Sequence, residues 1–306
     1  MIVTHNSEAF IKRCTEALAA MSPGTRTVVV DNASSDGTLT AIDNQPGLQI
    51  IANRVNRGFA AAVNQGVQAA EAEFILLVNP DVKILTPVDK LIEAARLYGL
   101  AAGRLVNEYG TDQKGFALRS FPRPADLIFE LAGLNRLWPS NPVNRRYRCL
   151  DRDMNQPGPV EQPPGALLMF RRDVWKRLGG LDERFFPIWF EDVDFCVRSI
   201  AAGYRIEYVP CVVAEHHGGH SAGALPPGCR AVLWCDSLLE YAAKHFRSLD
   251  YRAICLAVVL TSVPRMVAGM IRQRTLSPVV GYSKVVRSAS RRFILGRGSR
   301  QGHRNS

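Results

Sequence analysis

Short runs of apolar, mostly β-branched residues alternate with segments of helical periodicity through the first hundred residues. Val28-Val29-Val30, Leu48-Gln49-Ile50-Ile51 and Phe74-Ile75-Leu76-Leu77-Val78 read as buried strands. Residues 8–21, 38–44, 59–70 and 88–98 read as the helices between them. Strands that are apolar along their whole length need both faces covered, and strand–helix alternation supplies helices for both. The expectation is an α/β fold: a mostly parallel sheet with helices on both faces. Ligands on such sheets bind beyond the carboxyl ends of the strands. The residues just after each strand are therefore the ones to read.

Those residues are polar in all four cases. They are Thr4-His5-Asn6-Ser7, then Asp31-Asn32-Ala33-Ser34-Ser35-Asp36-Gly37, then Asn53-Arg54-Val55-Asn56-Arg57-Gly58-Phe59, then Asn79-Pro80-Asp81. Any one such loop is explained by turn and cap chemistry. Four at one sheet edge point to a ligand site.

Order weakens over residues 103–164, where Pro122, Pro124, Pro139, Pro142, Pro157, Pro159, Pro163 and Pro164 interrupt the pattern. That stretch reads as an insertion of loops and short helices facing an acceptor. A strand returns at Gly165-Ala166-Leu167-Leu168-Met169-Phe170. A short helix over 173–178 stops at Gly179-Gly180. Glu191-Asp192-Val193-Asp194 opens a helix behind Trp189-Phe190, a strand covers 204–209, and Glu215-His216-His217-Gly218-Gly219-His220-Ser221 follows.

Three chemistries fit these residues. Asp81 ends an apolar strand, with a helix expected next, and suits a divalent cation that bridges phosphate oxygens. His216, in a Gly-rich loop, completes a donor set suited to Mn²⁺ or Mg²⁺, and Gly218-Gly219 allows close backbone approach to phosphate. Glu191, Asp192 and Asp194, behind two aromatics, offer a partly desolvated carboxylate as general base.

Charge is segregated along the chain. Residues 251–306 hold eleven Arg and Lys and no acid, whereas residues 1–250 hold 27 basic and 28 acidic side chains. Apolar clusters alternate with Arg in this tail, a texture of membrane-surface helices. A packed C-terminal helix with a frayed basic end is the plainer alternative, and a nucleic-acid arm the third. The uninterrupted apolar run between Arg252 and Arg265 has twelve residues, about 18 Å of helix against a hydrocarbon core of about 30 Å. With Pro264 expected to kink it, a surface segment is favoured over a span. Seven cysteines without a C-x-x-C pair suggest a reducing compartment, and no signal-peptide pattern opens the chain.

The ordered motifs resemble the GT-A glycosyltransferases of family 2, more specifically the rhamnosyltransferase-like subgroup. The segments that carry the resemblance are Ile2 to Ser7, Val30-Asp31-Asn32-Ala33-Ser34-Ser35-Asp36-Gly37, Asn56-Arg57-Gly58-Phe59-Ala60, Asn79-Pro80-Asp81, Gly165-Ala166-Leu167, Gly180-Leu181-Asp182-Glu183-Arg184-Phe185-Phe186, Glu191 to Asp194 and His216 to Ser221. They cover residues 1 to about 225. The resemblance implies a Rossmann-like GT-A fold with a C-terminal helical basic extension. It implies that Thr4, Asn6, Asp31 and Asn32 line the base and ribose pocket. Arg57, Gly58 and Asn64 would lie near the nucleotide and diphosphate, with Asn79, Gly165 and Ala166 also in the donor site. Asp81 matches the last acid of the family's metal motif, which here reads Asn79-Pro80-Asp81. His216 matches the late metal ligand, with His217 as neighbour and rival. Asp192 matches the catalytic base, with Glu191 and Asp194 orienting it or touching sugar or acceptor.

The implied domain plan is a nucleotide-sugar half at 1–102, the Pro-rich insertion at 103–164, a catalytic half at 165–225 and a helical basic tail at 226–306. The implied function is inverting, metal-dependent transfer of a sugar, rhamnose from dTDP-rhamnose first among them, to a saccharide or lipid-linked acceptor in cell-surface polysaccharide or glycolipid synthesis. Another UDP- or dTDP-sugar donor and a non-catalytic sugar-nucleotide-binding scaffold are the alternatives. The expected partners are the donor, the acceptor and an anionic membrane surface met by residues 251–306, not nucleic acid. The expected place is cytoplasmic, at the inner face of the cell membrane. Family members carry several apolar residues before the Ile2-Val3-Thr4 strand, so a short first strand is expected here.

Overall fold

The computed structural model describes residues 1–43, 45–218, 227–275 and 277–296. The chain divides into two compact units, Met1–Phe121 with Arg145–Ala224, and Pro122–Asn144 with Leu225–Ser306. Residues 122–144 of the expected insertion thus group with the C-terminal helices.

The first unit is built on one sheet. Its strands are β1 (Ile2–Thr4), β2 (Thr27–Asp31), β3 (Leu48–Ala52), β4 (Phe74–Val78), β5 (Val82–Ile84), β6 (Gly99–Val106), β7 (Gly158–Val160), β8 (Leu167–Arg171) and β9 (Arg205–His216). Their order is β3-β2-β1-β4-β8-β6-β9-β5, with β7 beside β9. β1 has three residues yet sits centrally, between β2 and β4. The pairings among β1 to β4 are parallel, as strand–helix alternation dictates. The rest of the sheet is mixed. β8 runs antiparallel to β4 and β6, and β5 and β7 run antiparallel to β9. The mostly parallel expectation therefore holds for the first half of the sheet. The second half departs because β8 returns after a long excursion rather than a single crossover helix.

The helices in chain order are α1 (Glu8–Met21), α2 (Phe59–Ala69), α3 (Asp89–Tyr98), α4 (Pro124–Leu131), α5 (Leu134–Leu137), α6 (Pro142–Tyr147), α7 (Arg172–Leu178), α8 (Glu191–Ala201), α9 (Pro227–His245), α10 (Ser248–Gln273) and α11 (Ser277–Leu295). α1 packs on β5 and buries Ile11, Cys14 and Leu18, the inward stripe of an amphipathic helix. α2 packs on β1 and β2 through Ala60, Ala62 and Val63. Its Gly66 admits the Met1 side chain, which a Cβ there would meet at 2.1 Å. α3 covers β6, β8 and β9. Every residue of β2 and all but one of β6 are buried, so those strands are covered on both faces.

Three local expectations are corrected. Residues 38–43 form turns rather than a helix. Asp36 holds them by accepting hydrogen bonds from the Thr38 amide and hydroxyl, and it also accepts the Glu8 amide. Asp81 leads into β5, not into a helix, and α3 starts eight residues later. The last strand is longer than 204–209, because β9 continues to His216.

In the second unit, α4, α9, α10 and α11 pack on one another. Leu127, Leu131, Leu238, Leu239, Ile254, Val258 and Val285 are among its buried residues. Where Pro264 was expected to kink the apolar run, α10 continues through it as one helix of 26 residues, and Ser248–Ile271 is the one helix among the described residues long and apolar enough to cross a membrane by length and composition. The seven cysteines are all free.

Candidate functional site

Strand register builds the centre of the site. Val82 of β5 pairs with His216 of β9, so Asp81, one residue before β5, meets the end of β9. The Asp81 carbonyl accepts the His217 amide at 3.1 Å, and Asp81 Oδ2 accepts the Gly218 amide at 3.2 Å. The other oxygen, Oδ1, lies 3.6 Å from Nε2 of the buried His216 ring. His216 thus sits at a strand end and not in a Gly-rich loop. Burial lowers its pKa, Asp81 opposes that shift and His217 adds to it.

The geometry also separates the two neighbouring histidines. His217 is exposed, with its ring 5.0 Å from that of Phe10. His216 is clamped: Gln113 Oε1 lies 2.9 Å from its Nδ1, and Gln113 Nε2 donates to its carbonyl at 2.6 Å. Phe116 stacks on the ring at 5.0 Å. An amide oxygen facing Nδ1 places the proton there and leaves the Nε2 lone pair toward Asp81. A carboxylate oxygen and an imidazole nitrogen 3.6 Å apart form a donor pair suited to one Mg²⁺ or Mn²⁺. No described cluster of three or more His, Cys, Asp or Glu adds a further ligand. Gly219, His220 and Ser221 lie outside the described residues.

Asp192 occupies the first turn of α8. Its Oδ2 accepts the Gly165 amide at 3.0 Å and its Oδ1 the Val193 amide at 2.8 Å. Gly165 adjoins Ala166, whose carbonyl accepts the Asn79 amide at 3.2 Å. A short backbone path therefore links the carboxyl end of β4, where Asp81 begins, to the side chain of Asp192. Asp192 is half-buried. Burial raises its pKa, while the two amides and, more weakly, the Arg119 charge pull it down. Trp189 and Phe190, before α8, both have positive φ, 81° and 70°. For bulky residues that is a strained entry.

Glu191 is buried, and its Oε2 has no hydrogen-bond partner among the described residues. Burial first, and the Asp192 charge second, raise its pKa well above the usual glutamate value. A carboxyl whose folded pKa is raised stabilises fully below its unfolded pKa and loses that contribution as pH rises through the folded value. Glu191→Gln should therefore raise Tm at pH 7 and leave it nearly unchanged near pH 4. Parallel melting curves at the two pH values check this.

Two expected ligand contacts are used inside the fold. Asp194 is fully buried and paired with Arg198 at 2.7 Å, and Arg198 also donates to the Leu178 and Gly180 carbonyls. This cluster ties α8 to the Gly179-Gly180 turn. Asn64 donates to the Leu181 carbonyl and Glu183, and accepts from the Leu181 amide and Trp175 Nε1. Its amide is spent holding α2 to the segment after Gly180, which leaves nothing to offer a diphosphate.

The remaining residues knit the strand-end loops together. The Asn6 amide (φ 52°) donates to the Ser34 hydroxyl, and Asn6 Oδ1 accepts the Ser35 amide. Asp31 accepts the Ser34 amide and hydroxyl. Asn32 accepts the Arg57 amide and donates to Asn56. Thr4 Oγ1 is buried without a partner among the described residues. The Arg57 side chain is exposed. Gly58, at φ 82°, lets the start of α2 approach Phe186, whose ring a Cβ would meet at 2.8 Å. The clamp by Gln113 and Phe116 has no counterpart in the sequence reading, because it depends on a loop contact made 103 residues away.

Comparison with known proteins identifies the family and the fold. Residues 1–178 match the family described as Glycosyl transferase family 2, and residues 145–220 match the N-terminal domain of galactosyltransferase. The N-acetylglucosaminyl-diphospho-decaprenol L-rhamnosyltransferase of Mycobacterium tuberculosis is 31% identical over 235 residues, covering 71% of this chain and 75% of that one. Rhamnosyltransferase WbbL of Escherichia coli is 27% identical over 232 residues, covering 72% and 83%. Among solved structures, the mannosyltransferase PcManGT from Pyrobaculum calidifontis, in complex with GDP-Man and Mn²⁺, aligns over 96% of this chain and 85% of its own with a TM-score of 0.51 at 15% identity, a likeness of GT-A fold. The chain belongs to glycosyl transferase family 2 and is a rhamnosyltransferase-like glycosyltransferase.

Proposed function

We propose that this enzyme transfers rhamnose from dTDP-rhamnose, with inversion, to a lipid-linked saccharide used in cell-surface polysaccharide synthesis. The support is that Asp81 and His216, 135 residues apart, meet at 3.6 Å beyond the strand ends, while Asp192 is held on the same stretch of backbone. The activities named for the mycobacterial and Escherichia coli relatives favour rhamnose, and the first of them favours a diphosphate-lipid acceptor.

Asp192 accepts the proton of an acceptor hydroxyl. The oxygen attacks the anomeric carbon from the face opposite the nucleotide, a new C–O bond forms, and the bond to the diphosphate breaks with its electron pair leaving on the diphosphate. Asp81 and His216 would hold the divalent cation, which supplies charge stabilisation for that leaving group. Arg57 would add a mobile positive charge near the diphosphate. Thr4, Asp31 and Asn32 would face the base and ribose, and Thr4 Oγ1 is the buried atom with bonding capacity to spare. The basic segment 251–306 would hold the enzyme at the inner face of the membrane, where a lipid-linked acceptor lies.

A thermal-shift series against dTDP-rhamnose, UDP-galactofuranose and UDP-glucose, with and without Mn²⁺, tests the donor. Tm should rise most with dTDP-rhamnose plus Mn²⁺. A larger rise with a UDP-sugar would reject the rhamnose assignment.

The clamp on His216 makes a separate prediction. Gln113→Leu removes the acceptor at Nδ1 and should weaken Mn²⁺ binding by about 10- to 100-fold. Titration calorimetry in the presence of dTDP measures it. Long-range ¹H–¹⁵N spectra of the metal-free protein should show the Nδ1–H tautomer in the parent and its loss in the variant.

A further inference from the structure

Resting on the reading that the basic end of the chain meets a membrane, we infer that α10 is an in-plane interfacial helix whose outer face sinks into the leaflet of an anionic bilayer. Leu249, Leu256, Leu260, Val263, Val267 and Ile271 are all exposed, Leu249 by 80%, Leu260 by 64% and Ile271 by 74%. Their spacings of 7, 4, 3, 4 and 4 put them on one narrow stripe running the length of the helix. Tyr251, Ile254, Cys255, Val258 and Ser262 form the opposite, buried face. The helix therefore has protein on one side and an apolar surface on the other, and only 22% of its most apolar window is buried.

Charge identifies the occupant. Residues 251–306 contain eleven basic side chains and no acid. Arg252 is exposed at the start of the stripe and Arg274 is exposed just past its end. α11, packed along α10, exposes Lys284, Arg287 and Arg291 at helical spacing. An apolar stripe with exposed basic residues at its ends and on the helix packed beside it complements anionic headgroups above acyl chains. A second copy of the chain would bring the same positive charges against it.

The same helix is held against crossing the bilayer. About two-thirds of the way along it, Arg265 Nη2 donates to the carbonyls of Glu130, at 3.1 Å, and Leu131 at the end of α4. A span would strip those bonds and expose the buried face, leaving a guanidinium inside the hydrocarbon. Lying flat, α10 keeps Arg265 on its protein side and immerses the stripe to about 5–10 Å.

Vesicle flotation of the full chain tests this, using phosphatidylcholine with about 30% phosphatidylglycerol, an anionic surface of the kind that attracts basic segments. The double variant Leu260→Gln/Ile271→Gln, at exposed positions, should lose binding by at least about tenfold while keeping its dTDP-induced rise in Tm. Lys284→Gln/Arg287→Gln/Arg291→Gln should weaken binding to these vesicles and not to pure phosphatidylcholine. Single Trp substitutions at Leu249, Leu260 and Ile271, read as added quenching by brominated lipids, should report the same shallow depth. Deep quenching at position 260 alone would overturn the in-plane orientation. Vesicle binding that survives the double variant but fails with the α11 triple variant would sink the stripe and spare the membrane reading. Failure of the parent protein to bind any vesicle would remove both. A stripe variant that turns a dimer into a monomer without altering lipid binding would assign the face to a second copy and overturn the inference.

Discussion

Asp192→Asn should lower kcat by about 10²- to 10⁴-fold, the range a positioned general base supplies, with the Kd for dTDP within about twofold of the parent. The split follows from position. Asp192 lies at the start of α8, bonded to the Gly165 amide, whereas the loops assigned to the nucleotide follow β1 to β3. Asparagine keeps the size and one acceptor oxygen, so one of the two amide contacts survives. Steady-state kinetics and dTDP calorimetry on the same preparation check both halves, and an active variant would end the assignment. The pH profile is a companion readout. A base works only when ionised, and burial raises the Asp192 pKa above the ordinary carboxylate value. The acid limb of kcat/KM should therefore lie at higher pH than an exposed aspartate would give. Activity should fall as pH drops through that limb.

The second large effect concerns the donor pair. His216→Ala and Asp81→Ala should each abolish measurable Mn²⁺ binding in the presence of dTDP and reduce turnover by at least about 10²-fold, the scale on which loss of charge stabilisation at a leaving group is felt. His217→Ala, one residue on, should retain metal binding, because its ring packs with Phe10. The neighbouring pair makes an internal control. Equal loss in both histidine variants would mean that register does not select the ligand. Full turnover in EDTA would take Asp81 and His216 out of the reaction.

Much of this site was legible in local pattern. Polar loops after each parallel strand must gather at one edge, because parallel strands share a carboxyl end. That reasoning placed Asp31, Asn32, Arg57 and Asp81 together without any contact being known. It is silent on which partner a polar side chain takes. Asp194 looks like its neighbour Asp192 in sequence, yet it is buried and paired with Arg198, one helical turn on. Asn64 looked like a ligand residue until the turn after Gly180 used both ends of its amide. The apolar run before Arg265 looked short because its spacing does not show that carbonyls of α4 accept the guanidinium.

The amino-acid sequence alone determined the α/β class, the parallel first half of the sheet, the identity of the strand-end loops and the segregation of positive charge into residues 251–306. Those properties depend on local periodicity and composition, which a chain carries whatever its partners. Tertiary structure alone decided that His216 and not His217 lies buried against Asp81, that Gln113 faces its Nδ1, that Asp194 pairs with Arg198 and Asn64 with the turn after Gly180, and that α10 shows one apolar face outward. Each of those depends on strand register or helix rotation, and a shift of one residue turns a strand side chain to the opposite face and a helix side chain by about 100°.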